Sequence, residues 1–458
     1  MTGTSIRRDE LLAIADGLAA TFAERAAAHD RDATFPFDNY ADLADAGILR
    51  LTVPAELGGL GAGLGDVVAV LERLATGDGA TVLAAAMHIS PVGQWAAVWR
   101  RTGDERLADM LRRAADGSLV WAALTAEAGV RNTMTDARTS ATRVKGGFLL
   151  NGRKTFATNS AVATDFSTTA RHDDADGGPR LLLCQVSMRQ DGVQVHATWN
   201  ALGMRATRSD DVEFRDVFVP DERVVHSLPV GSLDRRVLET VWAWAMPCFG
   251  AVYTGIAAGA LDWTVARLVR SGRAEDPVVQ DVVGECRIQL ETSRAVLARH
   301  VADVEAGRLA EHGVQAGVAR CATTKYVAAT NATQVLARLV DVVGGPAYTR
   351  DLPFERMWRD VQAGPIMPMG NLAARRLVGA DTLGIATRPS TAERLPRHHA
   401  EPHGRERRRV VRGDGRQPHE RPAGVLEEPH PVPEQHRDHR HQHLVERTGV
   451  EARAGGDG

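Results

Sequence analysis

The stretch ATRVKGGFLLNGRKTFATNS, residues 141–160, changes the period of the chain. Upstream of residue 121 and again after residue 232, apolar residues recur every three or four positions. Here they come in short, partly β-branched runs broken by Gly146-Gly147 and Asn151-Gly152, the composition of strands joined by tight turns. PRLLLCQVSM (179–188), GVQVHATW (192–199) and DVEFRDVFVP (211–220) read the same way, so a β-domain is expected over 121–232.

Helical spacing governs what flanks it. LLAIADGLAATFAERAAAHD (11–30) and DVVAVLERLATGDGATVLAAAMHI (66–89) predict an N-terminal helical domain over 1–120. AVYTGIAAGALDWTVARLV (251–269), VVGECRIQLETSRAVLARHVADVEAG (282–307) and GVARCATTKYVAATNATQVLARLVDVV (317–343) are long enough for an antiparallel four-helix bundle over 233–386. The fold class expected is mainly α with a central, β-barrel-like domain.

From residue 387 the text changes again. Residues 387–458 lack Phe, Tyr, Trp, Ile, Met, Cys, Asn and Lys, yet hold nine of the sixteen histidines. Such a segment cannot repay the entropy of ordering, so disorder is expected. The missing residues are mostly those with AT-rich codons, the pattern of a GC-rich gene read out of frame.

A formal charge of −3, with both signs mixed throughout, gives no electrostatic case for nucleic acid or an anionic membrane. Cys184, Cys248, Cys286 and Cys321 are widely spaced, without a C-x-x-C pair or metal-ligand spacing, so no disulfide scaffold and no metal site are expected. The N-terminus lacks an unbroken apolar h-region, and a cytoplasmic protein is expected.

Five segments carry a resemblance. VPAELGGLG (53–61), WAALTAEAG (121–129), the opening stretch, ALGMRATRSDDVEFRDVFVPDERVV (201–225) and DVVGGPAYTRDLPFERMWRD (341–360) resemble the acyl-CoA dehydrogenase family in order and spacing, over roughly residues 5–386. The resemblance implies FAD as cofactor, a small-molecule substrate such as an acyl-CoA, and a homo- or hetero-tetramer. It also implies a redox partner, an electron-transfer protein or a flavin reductase. Thr125 matches the flavin-contacting threonine, and Phe156 and Thr158 match the aromatic residue and the hydroxyl beside the ring near N5. Asn159 completes that segment, and Gly344 and Gly345 match the glycine pair of Q-x-x-G-G.

The same resemblance exposes a gap. Removing an α-proton calls for a carboxylate in a dry pocket. Aligned on Arg359-Asp360, the family's glutamate falls at Pro368, between Met367 and Met369, and the alternative position on an earlier helix falls near Trp244 and Ala245. None of these accepts a proton; Glu239 and Glu127 are the substitutes nearest to hand. The pyrophosphate-binding half is also eroded, with Asp341 in place of the glutamine. Three functions follow: dehydrogenation of an acyl thioester with a relocated base, two-component monooxygenation using reduced FMN, or a non-catalytic subunit of a mixed oligomer.

Overall fold

The computed structural model describes residues 7–130 and 132–387. The tail expected to be disordered lies outside them from residue 388. Five helices come first: α1 (Arg8–Asp32), α2 (Phe37–Asp45), α3 (Leu64–Ala75), α4 (Gly79–Thr102) and α5 (Glu105–Ala115). Their burial follows the helical period: α1 buries Leu11, Ala15, Phe22 and Ala26, and α3 buries Val67, Val70, Leu71 and Leu74. Asp78 starts α4 by accepting from the backbone of Ala80 and Thr81, at 3.2 and 3.4 Å.

Eight strands follow: β1 (Trp121–Leu124), β2 (Ser140–Val144), β3 (Gly147–Lys154), β4 (Asp165–His172), β5 (Arg180–Ser187), β6 (Val193–His196), β7 (Asp211–Pro220) and β8 (Val224–Pro229). They form one sheet in the order β6-β7-β3-β2-β4-β5-β8, with β1 parallel to β4. The sheet curls onto itself, because Phe166 on β4 and Phe214 on β7, which are not neighbours in that order, stack at 5.6 Å.

One turn signal was misread. Asn151-Gly152 lies inside β3, where the register against β7 shifts between Leu150 and Gly152. A Cβ at Gly152 would stand 2.7 Å from the Cα of Thr139, so the glycine serves a bulge and a close backbone approach.

The helical remainder begins with a single turn, α6 (Arg235–Val237), which runs through a π-turn at Leu238–Trp242 into α7 (Ala243–Arg270). Then come α8 (Pro277–Glu305), α9 (Val314–Val343), α10 (Pro353–Val361) and α11 (Asn371–Thr382). The Arg235–Arg270 run is apolar and long enough to cross a membrane, but 89% of its apolar window is buried within the protein, which accounts for its composition. Gly255 brings α7 against α3: a Cβ there would sit 2.1 Å from the carbonyl oxygen of Glu72. Pro247, inside α7, has no N–H for the carbonyl of Ala243. Nε2 of the buried His300 on α8 donates to that oxygen instead, at 2.9 Å.

Candidate functional site

Two backbone segments meet beyond the ends of β1 and β3. Thr125 directly follows β1, half-buried, and Thr155 directly follows β3; the N–H of Thr155 donates to the carbonyl of Ala126 at 2.9 Å. Phe156 has a left-handed backbone (φ 53°) and a ring that is 60% exposed, edge-on to Trp199 at 5.8 Å. An aromatic face left open to solvent beside a half-buried threonine is a surface shaped for something flat.

Thr158, Ser209 and Thr207 are buried and form a chain. Thr158 Oγ1 lies 2.7 Å from Ser209 Oγ, which lies 2.7 Å from Thr207 Oγ1, which donates to the carbonyl of Met204 at 2.9 Å. Trp199 Nε1 reaches the same carbonyl at 3.1 Å. The N–H of Met204 in turn donates to Oδ1 of Asp360 on α10, at 2.5 Å. Burial pushes the Asp360 carboxyl up to about 7, against the opposing pull of the Arg356 guanidinium and the Met204 N–H. Arg356 sits between Asp360 and Asp78, at 3.7 and 3.4 Å. The candidate flavin threonine is therefore wired through the turn at 204–209 to the helix that precedes the altered loop. No local pattern in ALGMRATRSDD, residues 201–211, or at Trp199 announces this network; the hydroxyls at 207 and 209 are the one signal the sequence offers.

Asn159 takes a framework position. Its amide oxygen accepts from the Tyr40 hydroxyl and its amide nitrogen donates to the Trp121 carbonyl at 2.8 Å, so both ends of the fully buried side chain are committed within the protein. Glu127 is committed as well. Its carboxylate accepts from the buried Lys154 ammonium and from the backbone N–H groups of Arg138 and Thr139, at 2.5 and 3.1 Å. A carboxylate so paired cannot reach outward, which fits an anchor for the loop after Thr125 and not a relocated base. Glu239, in the π-turn, pairs with Arg235 at 2.7 Å on the surface.

Between α10 and α11, Pro368 is exposed, while Met367 and Met369 pack against the helical core. Lys325 on α9, fully buried, donates to the carbonyls of Met367 and Met369 at 2.9 and 3.0 Å. Gly344 caps α9 at φ 69° and Gly345 follows it, both exposed. Asp341 is held by Arg338 at 2.6 Å.

A flavin ring fits what the Thr125–Ser160 region offers. The exposed Phe156 ring supplies an apolar wall, and the buried Ser160 Oγ has no hydrogen-bond partner among the described residues.

Comparison with known proteins gives the same architecture. Residues 9–118, 122–217 and 247–367 match the acyl-CoA dehydrogenase N-terminal, middle and C-terminal domain models. An L-evernosamine nitrososynthase from Micromonospora sp. is 30% identical, over 81% of this chain and 89% of its own length. A putative acyl-CoA dehydrogenase of Bacillus subtilis is 27% identical, over 76% of this chain and 90% of its own. Among solved structures, KijD3 in complex with FMN and dTDP-3-amino-2,3,6-trideoxy-4-keto-3-methyl-D-glucose superimposes with a TM-score of 0.74 at 32% identity, covering 84% of this chain and 95% of that one. The resemblance read from five motifs thus extends over all three domain models, and the chain belongs to the acyl-CoA dehydrogenase family.

Proposed function

We propose that this protein is the oxygenase component of a two-component flavin monooxygenase, taking reduced FMN from a partner reductase and oxygenating an amine nitrogen on a small molecule. The observation that carries the reading is the loop between α10 and α11. Pro368 occupies the base position between two methionines, and both substitute carboxylates are committed elsewhere, Glu127 to Lys154 and Glu239 to Arg235. Oxygen transfer to nitrogen needs no α-proton base, so the loss that weakens the dehydrogenase reading costs this one nothing.

Bound reduced flavin would supply the electrons that let dioxygen give one atom to the amine, forming a hydroxylamine, and release the other as water. The chain's part is to bind, orient and exclude water. Phe156 would wall the ring, and Thr125, Thr158 and Ser160 would meet its polar edge. Met367 and Met369 would line the pocket with groups that neither give nor take protons, which keeps a reactive oxygen species from water-borne protons. A nitrososynthase and an FMN-bound, amino-sugar-bound structure among relatives at 30 to 32% identity support nitrogen as the atom oxidised. We extend the reading to a tetramer, on the resemblance of the segment ending in YTRDLPFERMWRD, residues 348–360, to the family's subunit-contact region.

The test supplies the purified protein with FMN, NADH and a flavin reductase and offers a dTDP-linked 3-amino sugar. Oxygen uptake coupled to a product heavier by one oxygen atom is the expected result. Anaerobic bleaching of tightly held FAD by an acyl-CoA, with no oxygen incorporated, would reverse the assignment.

A further inference from the structure

The three buried hydroxyls of Thr158, Ser209 and Thr207 make three consecutive hydrogen bonds that end on the Met204 carbonyl, at 2.7, 2.7 and 2.9 Å. Each hydroxyl has one proton, and a carbonyl has none to give. Three links made with three protons leave a single arrangement: Thr207 donates to Met204, Ser209 donates to Thr207, and Thr158 donates to Ser209. Any reversal leaves one of the three links without a proton, which is costly among buried groups. The Thr158 proton is then spent inside the protein, and what its oxygen offers outward is a lone pair.

We infer that Ser209 and Thr207 are positioning residues that set Thr158 as a hydrogen-bond acceptor, so that the site selects the reduced flavin. The central ring nitrogen of a flavin carries a hydrogen only when reduced; oxidised, it is a bare acceptor that would face the Thr158 lone pair. The inference rests on the flavin reading above and on the resemblance that sets Thr158 beside that nitrogen. It gives the chain a reason to take reduced FMN from a partner and release the oxidised form after turnover.

Dissociation constants for oxidised FMN and for anaerobically reduced FMN, measured by fluorescence quenching or calorimetry on the full chain, test it without any turnover. Wild-type protein is expected to hold reduced FMN about tenfold more tightly, the worth of one hydrogen bond gained against one repulsive contact. In S209A the Thr158 proton is freed to point outward, so the preference should fall about tenfold, equivalent to about 30 mV in the potential of the bound two-electron couple. T207V, nearly isosteric with threonine, should act in the same direction and serves if S209A is insoluble. Equal weakening of both redox states in S209A and T207V, or an unchanged ratio, overturns the inference. Wild-type protein that retains neither form of FMN removes the flavin reading itself, and the inference with it.

Discussion

Lys325 donates to the carbonyl of Met367 at 2.9 Å from inside α9, and the same ammonium reaches Met369. A lysine that is fully buried, with no carboxylate paired to it among the described residues, carries a desolvation cost that brings it down to about 7. What it does in return is tether the second half of a loop whose first half is held by its own backbone bonds, from the N–H groups of Ile366 and Met367 to the Ala363 carbonyl. In Lys325→Met the buried charge disappears, so global stability should stay within about 1 kcal/mol of wild type by urea unfolding. Amide hydrogen exchange across residues 363–372 should nevertheless rise about tenfold or more, since the two carbonyls lose the side-chain donor that holds them. Unchanged exchange would show that the loop is fixed by packing alone.

The paired burial of Glu127 and Lys154 makes a separate prediction. Lys154→Met alone leaves a carboxylate among backbone N–H groups with its cation gone, and Glu127→Gln alone leaves an uncompensated ammonium; each should cost about 3–5 kcal/mol. The double variant Glu127→Gln with Lys154→Met should recover most of that loss, because both charges go together. If the recovered double variant still binds FMN and oxygenates its amine, Glu127 is a structural anchor. Restored stability with abolished turnover would give Glu127 a chemical role instead.

The order and kind of the elements were legible because hydrophobic period is local: five helical runs and four strand-like stretches announce themselves without reference to the rest of the chain. Asn151-Gly152 was misplaced because the same dipeptide serves a two-residue turn and a bulge, and only the Thr139 backbone across the sheet decides between them. The candidate flavin site could be proposed from sequence only where the family's motif is contiguous, at Thr125 and 155–160. Its supporting shell was not, since Thr158 to Ser209 spans 51 residues and Met204 to Asp360 spans 156. Asn159 shows the converse limit: an amide in a cofactor motif can be wholly spent on bonds to Tyr40 and Trp121 that no local pattern reveals.

Two buried histidines set the acid limit. His88 donates from Nε2 to the Leu49 carbonyl at 2.8 Å and accepts at Nδ1 from the Trp121 N–H at 3.0 Å, an arrangement that needs the neutral ring. Burial lowers both His88 and His300 to about 4 from an ordinary 6.5. The unfolded chain therefore binds more protons between those values, and stability present above about pH 6.5 is lost as pH falls toward 4. At pH 5 each histidine should account for about 2 kcal/mol of the loss relative to pH 7.5. Urea midpoints at the two pH values check this. His88→Gln should show a smaller difference between them, and an equal difference would mean that carboxylates alone govern the acid limb.

Trp244 occupies the neighbourhood where the family's alternative base would stand, and it lies buried against α4. A Cβ at Gly93 would fall 2.2 Å from Cζ3 of the indole, too close for any rotamer adjustment of so large a ring in a packed core. Gly93→Ala should therefore cost about 1–3 kcal/mol or more, despite the gain in helix propensity that alanine brings to a helix interior. Trp244→Phe removes the overlapping ring, so the pair Gly93→Ala with Trp244→Phe should be more stable than the sum of the single changes predicts. The coupling, read from a double-mutant cycle in urea, should reach about 1 kcal/mol or more. Additive effects would mean that α4 and α7 separate to admit the methyl group.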